Sequence, residues 1–183
     1  MTGPAGAGIL VHPHPVLRSP AAPARDAGET GRLVRTLWRV CRRHGAAGLA
    51  APQIGVSLRV AVVDGRAVGA PVERIVLIDP ELLETAGSVR REEGCLSFPG
   101  LYATVRRPRR IAVRTTTPSG NTEILALEGL AARAVCHETD HLDGVLLPDR
   151  LGPIGRRLFL LRHWIRNRRR QSPLGSPARG SSV

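Results

Sequence analysis

The chain contains no lysine, so all of its fixed positive charge is arginine, and the formal net charge is +12 over 183 residues. Acidic residues stop at Asp149. Arg156, Arg157, Arg162, Arg166, Arg168, Arg169 and Arg170 follow without one. Such a tail attracts polyanions in a salt-dependent way, or forms a solvated helix face. No apolar run approaches the roughly 20 residues that span a bilayer, so no membrane partner is expected. The segment Met1 to Gly8 lacks the basic start and long apolar region of a signal peptide, and a cytoplasmic protein is expected. The three cysteines, Cys41, Cys95 and Cys136, are too few and odd in number for a disulfide framework. They read as reduced thiols, free to bind metal.

The length suits one domain with a real core. We expect that domain over residues 1–170, with an extended arm over 1–12 and a disordered Ser-, Pro- and Gly-rich tail over 171–183. His12-Pro13-His14-Pro15 is too proline-dense for regular structure. Val34, Leu37, Trp38 and Cys41 form a stripe at helical spacing, which predicts a helix from about Thr30 to His44. The small residues Gly45 to Ala51 suit close backbone approach. Short β-branched runs predict strands at Arg59–Asp64, Arg74–Asp79, Leu82–Arg90, Arg110–Thr116 and Thr122–Leu127. Ser119-Gly120-Asn121 reads as a hairpin turn. A helix is predicted from about Leu130 to Asp143. A last, basic amphipathic helix is predicted over 153–170, with Leu158, Leu161, Trp164 and Ile165 on its apolar side. Strand runs set apart from helices indicate an α+β fold.

His137-Glu138-Thr139-Asp140-His141 carries the chemistry. On a helix, residues four apart share a face, so both imidazoles can grip one metal ion. The glutamate beside them can act on a water held there. The third ligand is open at this point. A downstream glutamate, as in thermolysin-like enzymes, is excluded because no Glu follows Glu138. The metzincin extension requires a histidine where Leu147 stands. Upstream candidates are Cys41, Cys95, Cys136, His12, His14 and His44. Cys41 sits on an apolar stripe, and Cys136 points about 100° away from His137 on the same helix. Cys95 lies in a glycine-flanked polar segment leaving a strand, which suits a thiolate ligand better. His163 reads as a surface or packing residue.

Three segments together resemble the signature motifs of bacterial peptide deformylases. They are Gly48-Leu49-Ala50-Ala51-Pro52-Gln53, Glu93-Gly94-Cys95-Leu96-Ser97 and His137-Glu138-Thr139-Asp140-His141, in the family's order. The resemblance runs from Pro13-His14-Pro15-Val16-Leu17 to Asp149-Arg150-Leu151. It implies an α+β fold with antiparallel sheets packed around a central metal-binding helix. It implies a metal-dependent hydrolase that removes the N-formyl group from the formyl-methionine of new polypeptides, releasing formate. Cys95, His137 and His141 would be the metal ligands, with Fe2+ the usual metal and Zn2+, Ni2+ or Co2+ able to replace it. Glu138 would be general base and then acid. The Gln53 amide and the Leu96 N–H would stabilise the oxyanion, and Gly48 would offer backbone to the peptide. A methionine side chain would fill an apolar pocket. The family's ribosome association through a C-terminal helix would place Arg156–Arg170 near ribosomal RNA.

Two positions depart from the family pattern: Ala46 stands where a glycine is expected, and Cys136 where glutamine is common. Two other readings remain. One keeps the fold but changes the substrate to another N-acylated peptide or amino acid. The other makes the chain a ribosome-binding module with secondary catalysis.

Overall fold

The computed structural model describes residues 8–171. The first seven residues of the expected arm lie outside this range, as does the expected tail beyond Gln171. Within it the chain forms eight strands and three α-helices: α1 (Ala27–Arg43), β1 (Gly48–Ala50), β2 (Val60–Asp64), β3 (Arg74–Ile78), β4 (Glu81–Ala86), β5 (Val89–Gly94), β6 (Tyr102–Arg107), β7 (Arg110–Thr116), β8 (Thr122–Glu128), α2 (Gly129–Leu142) and α3 (Pro153–Gln171). Strands pair antiparallel in three sheets, ordered β1-β2-β3, β4-β7-β8 and β5-β6. The architecture is α+β, with the sheets gathered around α2.

Strand β2 shows why α2 is central. Its residues alternate between two buried faces. Ala61 and Val63 pack with Ala131, Ala132, Val135 and Leu142 of α2, a cluster that also holds Ile111, Val113 and Leu127 of β7 and β8. Val60 and Val62 pack on the other side against Leu37, Trp38 and Cys41 of α1. A strand covered on both faces needs an unbroken apolar run, and Val60-Ala61-Val62-Val63 supplies it. Helix α1 begins at Ala27, earlier than Thr30, because Asp26 caps it by accepting the Glu29 N–H at 2.5 Å. Helix α2 stops at Gly144, whose φ is +72°; a Cβ there would sit 2.6 Å from the Arg18 carbonyl oxygen.

Two expectations need correction, and two further elements were not expected. The single strand over Leu82–Arg90 is two strands in different sheets, broken at Gly87, where φ is +67°. Strand β6 was not anticipated. Its inward positions are Ala103, Val105 and Arg107, and an inward arginine masks the alternation. The proline-dense arm passes into a short 3-10 turn at Pro15–Arg18. The face of α3 is also reversed. Phe159 and His163 are buried, whereas Leu158, Leu161 and Trp164 are each 52% exposed and Ile165 is 40% exposed.

Candidate metal centre

Helix α2 presents His137 and His141 one turn apart, with ring centroids 5.1 Å apart. Strand β5 ends at Gly94, and the next residue, Cys95, projects toward them. The Cys95 Sγ lies 3.2 Å from the His141 Nε2. Ligand atoms of Cys95, His137 and His141 all lie within 4.8 Å of one another. None of the other candidates joins this group. Cys41 and Cys136 are buried in separate apolar clusters, and burial pushes each thiol up to about 11. His12 stacks on Phe98 at 5.2 Å, and His14 is exposed. His163 packs under α3, with its Nε2 2.8 Å from the His12 carbonyl oxygen.

Glu93, Arg107, Arg133 and Arg150, together with Asp140, hold the three candidate ligands in place. The Glu93 carboxylate accepts the His137 Nδ1–H at 3.0 Å, which leaves Nε2 free to hold a metal. The same carboxylate takes two hydrogen bonds from Arg107, each 3.0 Å, and one from Arg133 at 2.5 Å. Arg107 also donates to Asp140 at 2.5 Å, and Arg150 pairs with Asp140 as well. Asp140 therefore orients neighbours. Glu93, Arg107, Arg133 and Asp140 are buried, and each of these buried charges has a partner of opposite sign, as a low-dielectric interior demands. Glu93 could have been found in the sequence: it stands two residues before Cys95, where a chain still extended past the strand end brings both to one face.

The electrostatics suit a cation. Burial raises the Cys95 thiol, but His141 and His137 pull it well below its ordinary value, so it sits as thiolate. Burial lowers His137, but hydrogen bonds to Cys95 and Glu93 raise it well above the usual range. Burial would raise Glu93, and its bonds to His137 and Arg107 hold it at about 2. Glu138 is pushed up to about 7 by burial, against the pull of both histidines. Its Oε2 is buried and bonds to nothing among the described residues. Two imidazole nitrogens and a thiolate beside that carboxylate are a donor set for one divalent metal with an open position.

The remaining candidates line the same groove of about 600 Å3. Gln53 is 2% exposed; its Oε1 caps the Ala50 N–H at 3.0 Å and its Nε2 faces Cys95 Sγ at 3.6 Å. Leu96 follows Cys95 in a turn closed by the Phe98 N–H on the Cys95 oxygen at 2.9 Å, which does not use the Leu96 N–H. A Cβ on Gly48 would lie 2.5 Å from Glu138 Oε1, so glycine lets β1 pass the carboxylate without displacing it. Ala46 takes the family glycine's place without strain: Asp79 is the one non-glycine with positive φ among the described residues. The groove wall includes Val68, Leu96, Leu101, Leu130 and Ala134, but also Arg133, so it is not wholly apolar.

A sequence profile of the polypeptide deformylase family matches residues 7–157. The chain belongs to this family. It is 42% identical over 144 residues to peptide deformylase 1 of Bacillus anthracis, covering 78% of this chain and 90% of that one. It is 43% identical over 149 residues to the peptide deformylase of Acidothermus cellulolyticus, covering 80% and 79%. The crystal structure of a peptide deformylase from Legionella pneumophila superposes with a TM-score of 0.82 at 35% identity, covering 92% of this chain and 100% of that one. That from Thermus thermophilus gives 0.81 at 36% identity, covering 88% and 97%. Polypeptide deformylases are metal-dependent hydrolases of nascent formyl-peptides, and this chain is an enzyme of that class. No helix among the described residues is long and apolar enough to cross a membrane.

Proposed function

We propose that this chain deformylates N-terminal formyl-methionine through Cys95, His137, His141, Glu138, Gln53, Leu96 and Gly48. The observation that carries this assignment is the Glu138 carboxyl, buried and with one oxygen unpartnered beside the three ligand atoms. When bound, a divalent metal would polarise the formyl oxygen and acidify a water. Fe2+ is the proposed metal, and the same donors accept Zn2+, Ni2+ or Co2+. Glu138 takes the proton of the attacking water and returns it to the departing amine. The Gln53 Nε2–H and Leu96 N–H donate to the oxygen as it gains charge, where losing one donor costs on the order of 10²–10³ in rate. Gly48 lies on the free edge of β1 and pairs with an extended peptide. The single catalytic unit runs over residues 1–170, and the enzyme works in the cytoplasm.

A Glu138→Gln variant, purified anaerobically, should keep its metal and lose turnover of formyl-Met-Ala. Full activity would remove Glu138 from its role. Equal cleavage of acetyl-Met-Ala by the native enzyme would favour a broader N-acyl substrate instead.

The exposed arginines of α3 and the lack of acids after Asp149 support ribosomal RNA as a second partner. Deleting residues 153–183 should weaken salt-sensitive ribosome binding, with folding checked by circular dichroism. Unchanged binding would count against this contact.

A further inference from the structure

A second cavity, of about 450 Å3, adjoins the metal groove and is lined by Val89, Arg91, Pro108, Arg109, Gly129, Leu130 and Arg133. Leu130 and Arg133 belong to both, so the two share a wall. No acidic side chain among the described residues lines it. Arg133 is held by Glu93 at 2.5 Å and by the Val89 carbonyl at 2.9 Å. Arg91 and Arg109 are exposed, and neither pairs with an acid among the described residues. The cavity therefore offers two uncommitted guanidinium groups and one already neutralised.

Two elements lead from the metal site to this cavity. Along α2, His137 to Gly129 is eight residues, or about 12 Å. Along β5 and the residue after it, Cys95 back to Arg91 is four residues, or about 13 Å. Among the described residues strand β5 pairs only with β6, so its other edge has no strand partner there, and it borders the groove at Glu93 and Gly94. A peptide whose formyl group sits at the ligands and whose backbone follows that edge arrives at Arg91 after three or four residues. Val89, Arg91 and Glu93 alternate onto one face of β5, which aims Arg91 toward α2.

We infer that the arginine-lined cavity is a substrate subsite for a carboxylate side chain on the emerging peptide, at the third to fifth residue. The inference rests on the deformylase assignment above and adds a sequence preference to it. Guanidinium groups pair with carboxylates through charge-assisted hydrogen bonds. Exposed pairs are screened by salt, so the preference weakens as ionic strength rises.

The test uses the metal-loaded enzyme and formyl-Met-Ala-Ala-Ala-Ala, with Glu placed in turn at the third, fourth and fifth residues. KM should fall roughly threefold at one or more of these positions, the effect of a partly exposed ion pair. In an Arg91→Glu/Arg109→Glu variant the order should reverse, with the acidic peptide the poorer substrate. Inorganic phosphate should raise KM for the acidic peptide more than for the neutral one. Equal KM for neutral and acidic peptides at all three positions overturns the inference, as does an acidic preference that survives in the variant. Phosphate inhibition without any acidic preference would assign the cavity to a free anion and overturn it too. Neutral formyl-peptide turnover continues in each of those cases. Loss of the deformylase assignment would instead appear as no turnover of any of the peptides.

Discussion

Gly48 and Glu138 constrain each other closely. In Gly48→Ala the new methyl would meet Glu138 Oε1 at 2.5 Å. The carboxylate must swing away, and displacing a reacting group by about 1 Å can cost on the order of 100-fold in rate. We expect kcat to fall by roughly that much while metal content, read by elemental analysis, stays constant. Glu93→Gln tests a different link. It weakens the acceptor for His137 and leaves Arg107 and Arg133 undercompensated in a buried setting. Metal affinity should drop about 10–100-fold, the usual effect of losing the group that orients a ligating histidine. The melting temperature of the metal-free protein should fall as well, because removing one partner of a buried ion pair costs about 3–5 kcal/mol. Unchanged melting would mean that Arg107 and Arg133 find other acceptors.

At the scale of elements, α2, β2 and the extent of α3 were legible in the sequence, whereas the inward face of α3 and the strand β6 were not. The two histidines and the alternating two-sided burial of β2 write their environment into residue type. Helix α3 has apolar residues all round: Leu158, Leu161 and Ile165 on one side, Phe159 on the other. Periodicity alone could not tell which side meets the core, and aliphatic clustering favoured the wrong one. The inward side is decided by shape, since the Phe159 ring meets Phe98 edge-on at 5.2 Å and His163 reaches the His12 carbonyl. Phe159→Ala should therefore destabilise by about 3–5 kcal/mol in urea unfolding, as for a buried aromatic. Leu158→Ala should stay within about 0.5 kcal/mol, as surface changes do. The reverse ranking would show that α3 docks by its other face. In β6, Arg107 stands at an inward position because Glu93 and Asp140 are waiting for it. That pairing joins residues far apart in the chain and leaves no local signature. The three site motifs were visible because metal chemistry restricts residue types, whereas the arginines that brace them are restricted only by the fold.

At the scale of the whole molecule, the arm and α3 are fastened together beside Phe98, and that joint responds to pH. Burial lowers the His12 pKa below its ordinary 6.5, with Arg18 and His163 adding to the effect. The unfolded chain takes up a proton near 6.5, and the folded chain only at lower pH. Below 6.5 the unfolded state binds more protons, so stability falls as pH drops through that value. A His12→Phe variant keeps the stacking on Phe98 and removes the titration. Its melting temperature should decline less than the native protein's between pH 7 and 5.5. An identical decline would assign the acid sensitivity to other groups. Metal removal acts more broadly. A ligand that binds only the folded state stabilises it by mass action, so chelation should lower the melting temperature and metal should restore it.

Helix α2 carries His137, Glu138 and His141, and it also supplies Ala131, Ala132, Val135 and Leu142 to the main core. The candidate metal centre and the main core thus share one helix. In amide hydrogen exchange, α2 should be among the last segments to exchange, in step with β2. Chelation should speed both together rather than loosening α2 alone. An enzyme built this way has little capacity for partial damage: a chain that has lost the geometry of its metal site has also begun to unfold.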